Sequence, residues 1–148
     1  MNNIKDVAEG LITKFGTKVG LSEDEKSLVV AAEDIIDVLQ EIKENTDYTF
    51  LEDVTAVDYP ECFTAVYHLL SLQDGQILRV KANLDKENPQ IESAVSVWNS
   101  ANVMERETYD LMGIIFTDHP DLKRVLCPDD FEGHPLRKDF KVEAAPRQ

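Results

Sequence analysis

The chain has 148 residues, 43% of them hydrophobic and 30% charged, enough apolar mass for one globular domain with its own core. Its formal net charge of −14 argues against nucleic acid as a partner. No apolar run approaches the roughly 18 residues of a membrane span, the N-terminus has neither the basic nor the apolar part of a secretory signal, and two cysteines (Cys62, Cys127) fit a reducing compartment better than a disulfide framework.

Ile4, Val7, Ala8, Leu11, Ile12 and Phe15 recur at helical spacing, and Gly16 follows as the residue that ends the helix. Residues 28–31 form a short apolar run that reads as a buried strand. A second helix is expected over 33–44, carrying Ile35, Ile36, Val38, Leu39 and Ile42. Residues 50–57 and 63–71 read as strands. Asp74-Gly75 signals a hairpin turn, after which residues 76–84 alternate strictly, with Leu78, Val80, Ala82 and Leu84 on one face. One face is core and the other wet, as in an antiparallel sheet. His68 falls in the second of these strands and reads as a strand residue with a satisfied ring. Pro89 precedes an expected helix with Ile91, Ala94, Val95 and Trp98. A further helix over 103–112 ends at Gly113, and Ile114-Ile115-Phe116 reads as a last short strand. The predicted class is α+β: a mostly antiparallel sheet flanked by helices, with an extended C-terminal arm.

The helix over 103–112 and the segment after it organise the chain: VMERETYDLMGIIFTDHPDLKRVLCPDDFEGHPLRKDF. At 100° per residue, Met104, Thr108, Leu111 and Met112 share a face bordered by Glu105 and Glu107. Arg106 points the other way, with Asp110 as its i,i+4 partner. Carboxylates beside a packing face are costly without donors, so an ion network is expected there rather than three solvated charges. Of 29 acidic and 15 basic residues, positions 119–148 hold 6 of each, which leaves the whole negative excess on residues 1–118. That neutral stretch is kept extended by Pro120, Pro128, Gly133 and Pro135. It spaces Leu122, Val125, Leu126, Phe131, Leu136 and Phe140 among the pairs Lys123-Arg124 and Arg137-Lys138. Two parts are therefore expected: an α+β domain over 1–118 and an arm over 119–148 that packs on a partner. From residue 129 onward the arm is expected to make few contacts with residues 1–117.

Motifs for chemistry are absent. His119, Cys127 and His134 lack metal-ligand spacing, and there is no run of cysteines for an iron–sulfur cluster. No nucleophile elbow, P-loop or dinucleotide glycine fingerprint occurs. A free-standing metal-dependent hydrolase built on His119, Cys127 and His134 stands as the remote rival reading.

Glu105-Arg106-Glu107, Asp110-Leu111-Met112, His119, Lys123, Val125 and Leu126 resemble, in type and spacing, the signature of the thirty-kilodalton (C) subunit of proton-pumping NADH:quinone oxidoreductase, respiratory complex I. The likeness extends upstream through 53–60 and 67–71, and downstream through Gly133, His134, Pro135, Leu136, Arg137, Lys138, Asp139 and Phe140. Val103 and Phe131 stand where the family usually has tryptophan.

The resemblance implies an accessory, non-redox chain of an oxidoreductase, with no catalytic, cofactor or metal site of its own. The parent complex would use NADH, FMN, iron–sulfur clusters and quinone. The implied partners are the large (forty-nine-kilodalton type, or D) subunit and other peripheral-arm subunits, on the cytoplasmic face of the cell membrane. The implied partner interface comprises Glu105, Arg106, Glu107, Asp110, His119, Lys123, Arg124, His134, Pro135, Leu136, Arg137, Lys138 and Phe140. Equivalent subunits of energy-converting membrane-bound nickel–iron hydrogenases and formate hydrogenlyase-like complexes share the resemblance, and are the alternative parents.

Overall fold

The computed structural model describes residues 3–140. Helix α1 (Ile4–Phe15) starts at Asn3, whose side chain accepts the Lys5 N–H, and stops at Gly16 at φ 68°. It buries Val7, Ala8 and Leu11, while Ile12 lies off the stripe and stays exposed. Helix α2 (Ile35–Asn45) buries Ile35, Val38, Leu39 and Ile42, a stripe at i, i+3, i+4 and i+7. Both helices pack beside a five-stranded sheet of order β1-β2-β5-β4-β3: β1 (Val19–Leu21), β2 (Ser27–Val30), β3 (Tyr48–Asp58), β4 (Phe63–Ser71) and β5 (Ile77–Leu84).

β3, β4 and β5 form an antiparallel meander, and β5 buries Leu78, Val80, Ala82 and Leu84 while Ile77, Arg79 and Asn83 remain exposed. The Asp74-Gly75 turn is made with Gly75 at φ 71°. β2 joins β5 in parallel, with Leu28 opposite Val80, so the sheet is mixed at that side. Strand β1 carries no signal at three residues and one buried side chain. β3 pairs only with β4 and is the edge strand next to which helix α3 (Ala101–Met112) packs.

The helix expected after Pro89 is corrected. Gln90–Glu92 is strand β6, paired in parallel with β7 (Ile115–Thr117) so that Ile91 meets Phe116. Ala94–Ser96 is one 3₁₀ turn begun by Ser93, whose hydroxyl accepts the Val95 N–H. The helical spacing of Ile91, Ala94, Val95 and Trp98 arose from a strand and a turn that feed the same core. Strand pairing and a serine-capped turn outweighed the propensity of a short segment.

At Asp118 the backbone takes φ 62°, a left-handed conformation that aspartate tolerates better than most residues. This turn sends the chain back across α3. Residues 119–140 then lie on the domain without regular structure.

Candidate functional site

Helix α3 turns Ala101, Glu105, Thr108 and Met112 into the protein, a stripe at i, i+4, i+7 and i+11. The sequence expectation placed Glu105 and Glu107 symmetrically beside the packing face. Instead Glu105 sits at its centre, fully buried, while Glu107 is exposed. The displacement follows from where the helix begins: Ala101 sets the stripe, and Met104 and Leu111 fall to its margins.

Glu105 accepts the Ser93 hydroxyl at 2.5 Å and the Ala94 N–H at 2.7 Å. No lysine or arginine pairs with it among the described residues. Burial pushes its carboxyl up to about 7, against the downward pull of those two donors. The nearest basic group is His119, with Nε2 4.0 Å from Oε1. That imidazole is neutral by its partners: Nδ1 accepts the Asp121 N–H at 2.9 Å, so Nε2 carries the proton and gives it to the Asn102 carbonyl at 3.1 Å. The buried phenol of Tyr67 has no hydrogen-bond partner among the described residues. Its pKa is raised by burial and then by the neighbouring charge of Glu105.

Asp110 is also buried, on the side of α3 that faces the arm. The expected Arg106–Asp110 pair does not form. Arg106 Nε donates to the Lys123 carbonyl at 3.2 Å, and Asp110 is taken by the arm itself. One carboxylate oxygen accepts the N–H groups of Val125, Leu126 and Cys127 at 3.1, 2.7 and 2.9 Å, and the other meets Arg124 Nη1 at 3.2 Å. Burial alone would raise the Asp110 pKa. The three peptide donors outweigh it and hold the group below the usual carboxylate range. Arg124 also donates to the Gly133 carbonyl at 2.8 Å and lies over the Phe131 ring.

The end of α3 leaves four carbonyls without helical donors, and each is met. Gly113 N–H, in the left-handed conformation at φ 75°, reaches the Tyr109 carbonyl at 2.8 Å. His134 Nδ1 donates to the Asp110 carbonyl at 2.9 Å, Leu136 N–H to Leu111 at 2.9 Å, and Arg137 Nε to Met112 at 2.7 Å. The GHPLRK segment is thus a tertiary cap. Only glycine fits at position 113: a Cβ there would lie 2.5 Å from Arg137 Nη2 and 2.6 Å from the His134 ring. Half-buried Pro135 joins the two capping residues.

One residue beyond Arg137, the Lys138 N–H donates to Asp58 Oδ2 at 2.9 Å, and Lys86 ion-pairs with the same carboxylate. Arg137 and Lys86 both lie over the Phe63 ring, at 4.9 and 4.3 Å from its centroid. Phe140 stacks on Phe131 with centroids 6.0 Å apart. The expectation of few contacts between the arm and residues 1–117 is therefore overturned for 129–140; residues 141–148 lie outside the described residues. Lys123 stays exposed, paired only with Asp121.

The structure brings Glu105 to His119, and Asp110 to Arg124, His134 and the capping segment. It leaves Glu107, Lys123 and the Lys138 side chain on the surface. His119 bonds to Asn102 and Asp121, whereas Cys127 meets the Asp110 carboxylate and His134 the Asp110 carbonyl, and among the described residues no group of three or more His, Cys, Asp or Glu is placed to hold a metal ion. His68, on the sheet, accepts Arg79 Nε at 3.0 Å. Sequence reasoning missed Asp58, Ser93 and Tyr67. Only the run from Asp53 to Pro60 drew attention to Asp58, and nothing in it points 80 residues ahead to Lys138.

The architecture of a mixed sheet, an edge helix and a folded-back arm has solved counterparts. A subunit in the structure of the membrane-bound sulfane sulfur reductase, described as an archaeal respiratory membrane complex, superposes with a TM-score of 0.78 at 24% identity, over 93% of this chain and 85% of that one. A trypsin-resistant fragment of Nqo5 matches with a TM-score of 0.57 at 28% identity, over 81% of this chain and all of the fragment.

Fold and signature together mark this chain as a subunit of a respiratory oxidoreductase complex. Residues 28–146 match the family described as respiratory-chain NADH dehydrogenase, 30 Kd subunit, and the chain belongs to that family. It is 52% identical to the C subunit of NADH-quinone oxidoreductase from Moorella thermoacetica over 97% of both chains. It is 45% identical to the corresponding chain of Citrifermentans bemidjiense over 84% of this chain and 79% of that one. No helix among the described residues is long and apolar enough to cross a membrane.

Proposed function

We propose that this chain is the accessory, non-redox C subunit of an NADH-quinone oxidoreductase, peripheral on the cytoplasmic face of the membrane, and that it connects the peripheral arm by binding the large, forty-nine-kilodalton-type subunit. In this reading the parent complex's NADH, FMN, iron–sulfur clusters and quinone act on other subunits. One observation carries the reading. The arm is fixed to its own domain at Asp110, at the end of α3 and at Asp58, yet it turns apolar side chains outward.

Leu126 and Leu136 are 64% and 60% exposed, with Val125 and Phe131 beside them in the same arm. Of the other two expected anchors, Leu122 packs against the core of the domain and partly buried Phe140 stacks on Phe131 within the arm. A rigid arm that exposes leucines loses little conformational entropy when a partner covers them. Each leucine buried at an interface contributes about 1.5–3 kcal/mol. Leu126→Asp should therefore weaken binding of the purified full chain to the purified large subunit at least about tenfold, with the thermal midpoint of the free chain unchanged. Equal affinity for the wild-type and Leu126→Asp chains would overturn the assignment of this face.

A further inference from the structure

Between the edge strand β3 and helix α3 runs a groove of about 170 Å³. Asp53, Val54 and Thr55 form one wall, Glu107, Thr108 and Leu111 the other, and Leu136 closes it from the arm. The space is well below the ~300–1,000 Å³ of a site for a cofactor-sized molecule. It equals about five or six waters at about 30 Å³ each, the scale of one long side chain's end.

The groove's chemistry is one-sided. Glu107 is exposed and makes no hydrogen bond or ion pair with any described residue, unlike Glu105 and Asp110 on the same helix. Asp53, on the opposite wall, is half-exposed; its one ion-pair contact among the described residues is with His68 at 3.8 Å, and it also lines a neighbouring cavity with Lys26 and Arg79. His68 Nε2 accepts a hydrogen bond from Arg79 Nε at 3.0 Å, so the ring N–H lies on Nδ1, the nitrogen that faces Asp53. Among the described residues no lysine or arginine lines the groove. Its apolar lining is Val54, Leu111, Met112 and Leu136, and Leu136 is held in place by its own N–H on the Leu111 carbonyl. A carboxylate on each wall and aliphatic surface between them match a side chain with an apolar stem and a cationic head.

We infer that this groove is a docking site for a lysine or arginine side chain of the large subunit, its stem against Leu111 and Leu136 and its charge between Asp53 and Glu107. The inference rests on the reading that the outward face of the arm meets that subunit, since Leu136 belongs to both surfaces. Charge complementarity selects the occupant: the excess charge of −14 lies on residues 1–118, and both carboxylates of the groove are part of it.

The test uses the purified full chain and the purified large subunit, with Kd measured at about 0.02 and 0.3 M salt. The wild type should bind more weakly at high salt. Asp53→Asn/Glu107→Gln should weaken binding about 10–100-fold at low salt, the lower end of the range for close interfacial charge pairs, and should lose most of the salt dependence. Glu107→Lys should weaken it further. The altered side chains are surface groups, so circular dichroism melts of the variants should superpose on the wild type.

If the double variant keeps the wild-type Kd and salt dependence while Leu126→Asp loses affinity, the groove is overturned and the arm reading survives. If the wild type and the large subunit do not associate at all, both fall. Self-association of the free chain that disappears in the double variant, with binding to the large subunit unchanged, would assign the groove to a second copy and overturn the inference.

Discussion

Glu105, Glu107 and Asp110 lie within two turns of one helix and meet three environments, which give them three behaviours. Glu105 is buried with two donors and no paired cation, so its folded-state pKa rises to about 7 from 4.5. The folded protein then binds a proton that the unfolded chain releases. Its contribution to stability is fully present below pH 4.5 and is lost as pH rises through about 7. The loss amounts to about 3 kcal/mol at most. Glu105→Gln keeps the volume without the charge: its carbonyl can accept the Ala94 N–H while its amide N–H donates to the Ser93 hydroxyl. Urea unfolding should show the wild type weakening between pH 5 and pH 8 and the variant nearly flat, with the variant the more stable at pH 8. Parallel pH profiles for the two would show that Glu105 is not the group that titrates. Asp110 runs the other way. Its pKa is depressed, so its contribution is present above the unfolded value of 3.8 and fades as pH falls through the lower folded value.

At the scale of elements, α3 is finished by a segment more than 20 residues away in sequence. Asp110→Ala would strip the acceptor from three peptide N–H groups and leave Arg124, whose side chain is only 12% exposed, without its carboxylate. Breaking such a pair costs about 3–5 kcal/mol. Hydrogen exchange should locate the loss at residues 124–127 rather than in β3–β5. Gly113→Ala would strain a left-handed residue by about 1–2 kcal/mol and drive a methyl group into His134 and Arg137. Its exchange signature should be faster amides over the last turn of α3 and over 134–138. A variant with wild-type protection there would show that the cap closes without these two side chains.

Much of this was legible beforehand. β4 and β5 announced themselves by composition, alternation and an Asp-Gly turn, and α1 and α2 by stripes that persist for three turns. The signature residues were legible as a set, while their roles were not. The capping of α3 by His134, Leu136 and Arg137 could not be read, because a helix end is a set of backbone carbonyls, invisible in side-chain pattern. Glu105 and Glu107 read alike until the start of α3 fixed which one the core would take. β6 was lost because three residues cannot display a period of two.

For the molecule as a whole, the arm's attachment separates two tasks that the sequence had merged. Its backbone, Arg124 and Arg137 hold the domain together, while Leu126 and Leu136 stay exposed. Deleting residues 129–148 removes three of the four groups that meet the α3 carbonyls and the contact with Asp58. At about 1 kcal/mol for each hydrogen bond, the truncated chain should unfold some 2–4 kcal/mol more easily while retaining its sheet by circular dichroism. An unchanged unfolding midpoint would mean that water replaces the cap at no cost.

The contact between Asp58 and Lys138 spans 80 residues, and the partners of the α3 carbonyls are among the last described residues to leave the ribosome. During synthesis the β3–β5 meander can pair as soon as it emerges, since its strands are neighbours in sequence. The final turn of α3 has no such local supply. A nascent chain paused before residue 134 carries a helix whose last carbonyls face only water and whose Asp58 lacks its second donor. A chain that lacks residues 134–138 would therefore carry a folded sheet and an uncapped α3, and limited proteolysis should cut it there faster than the full chain.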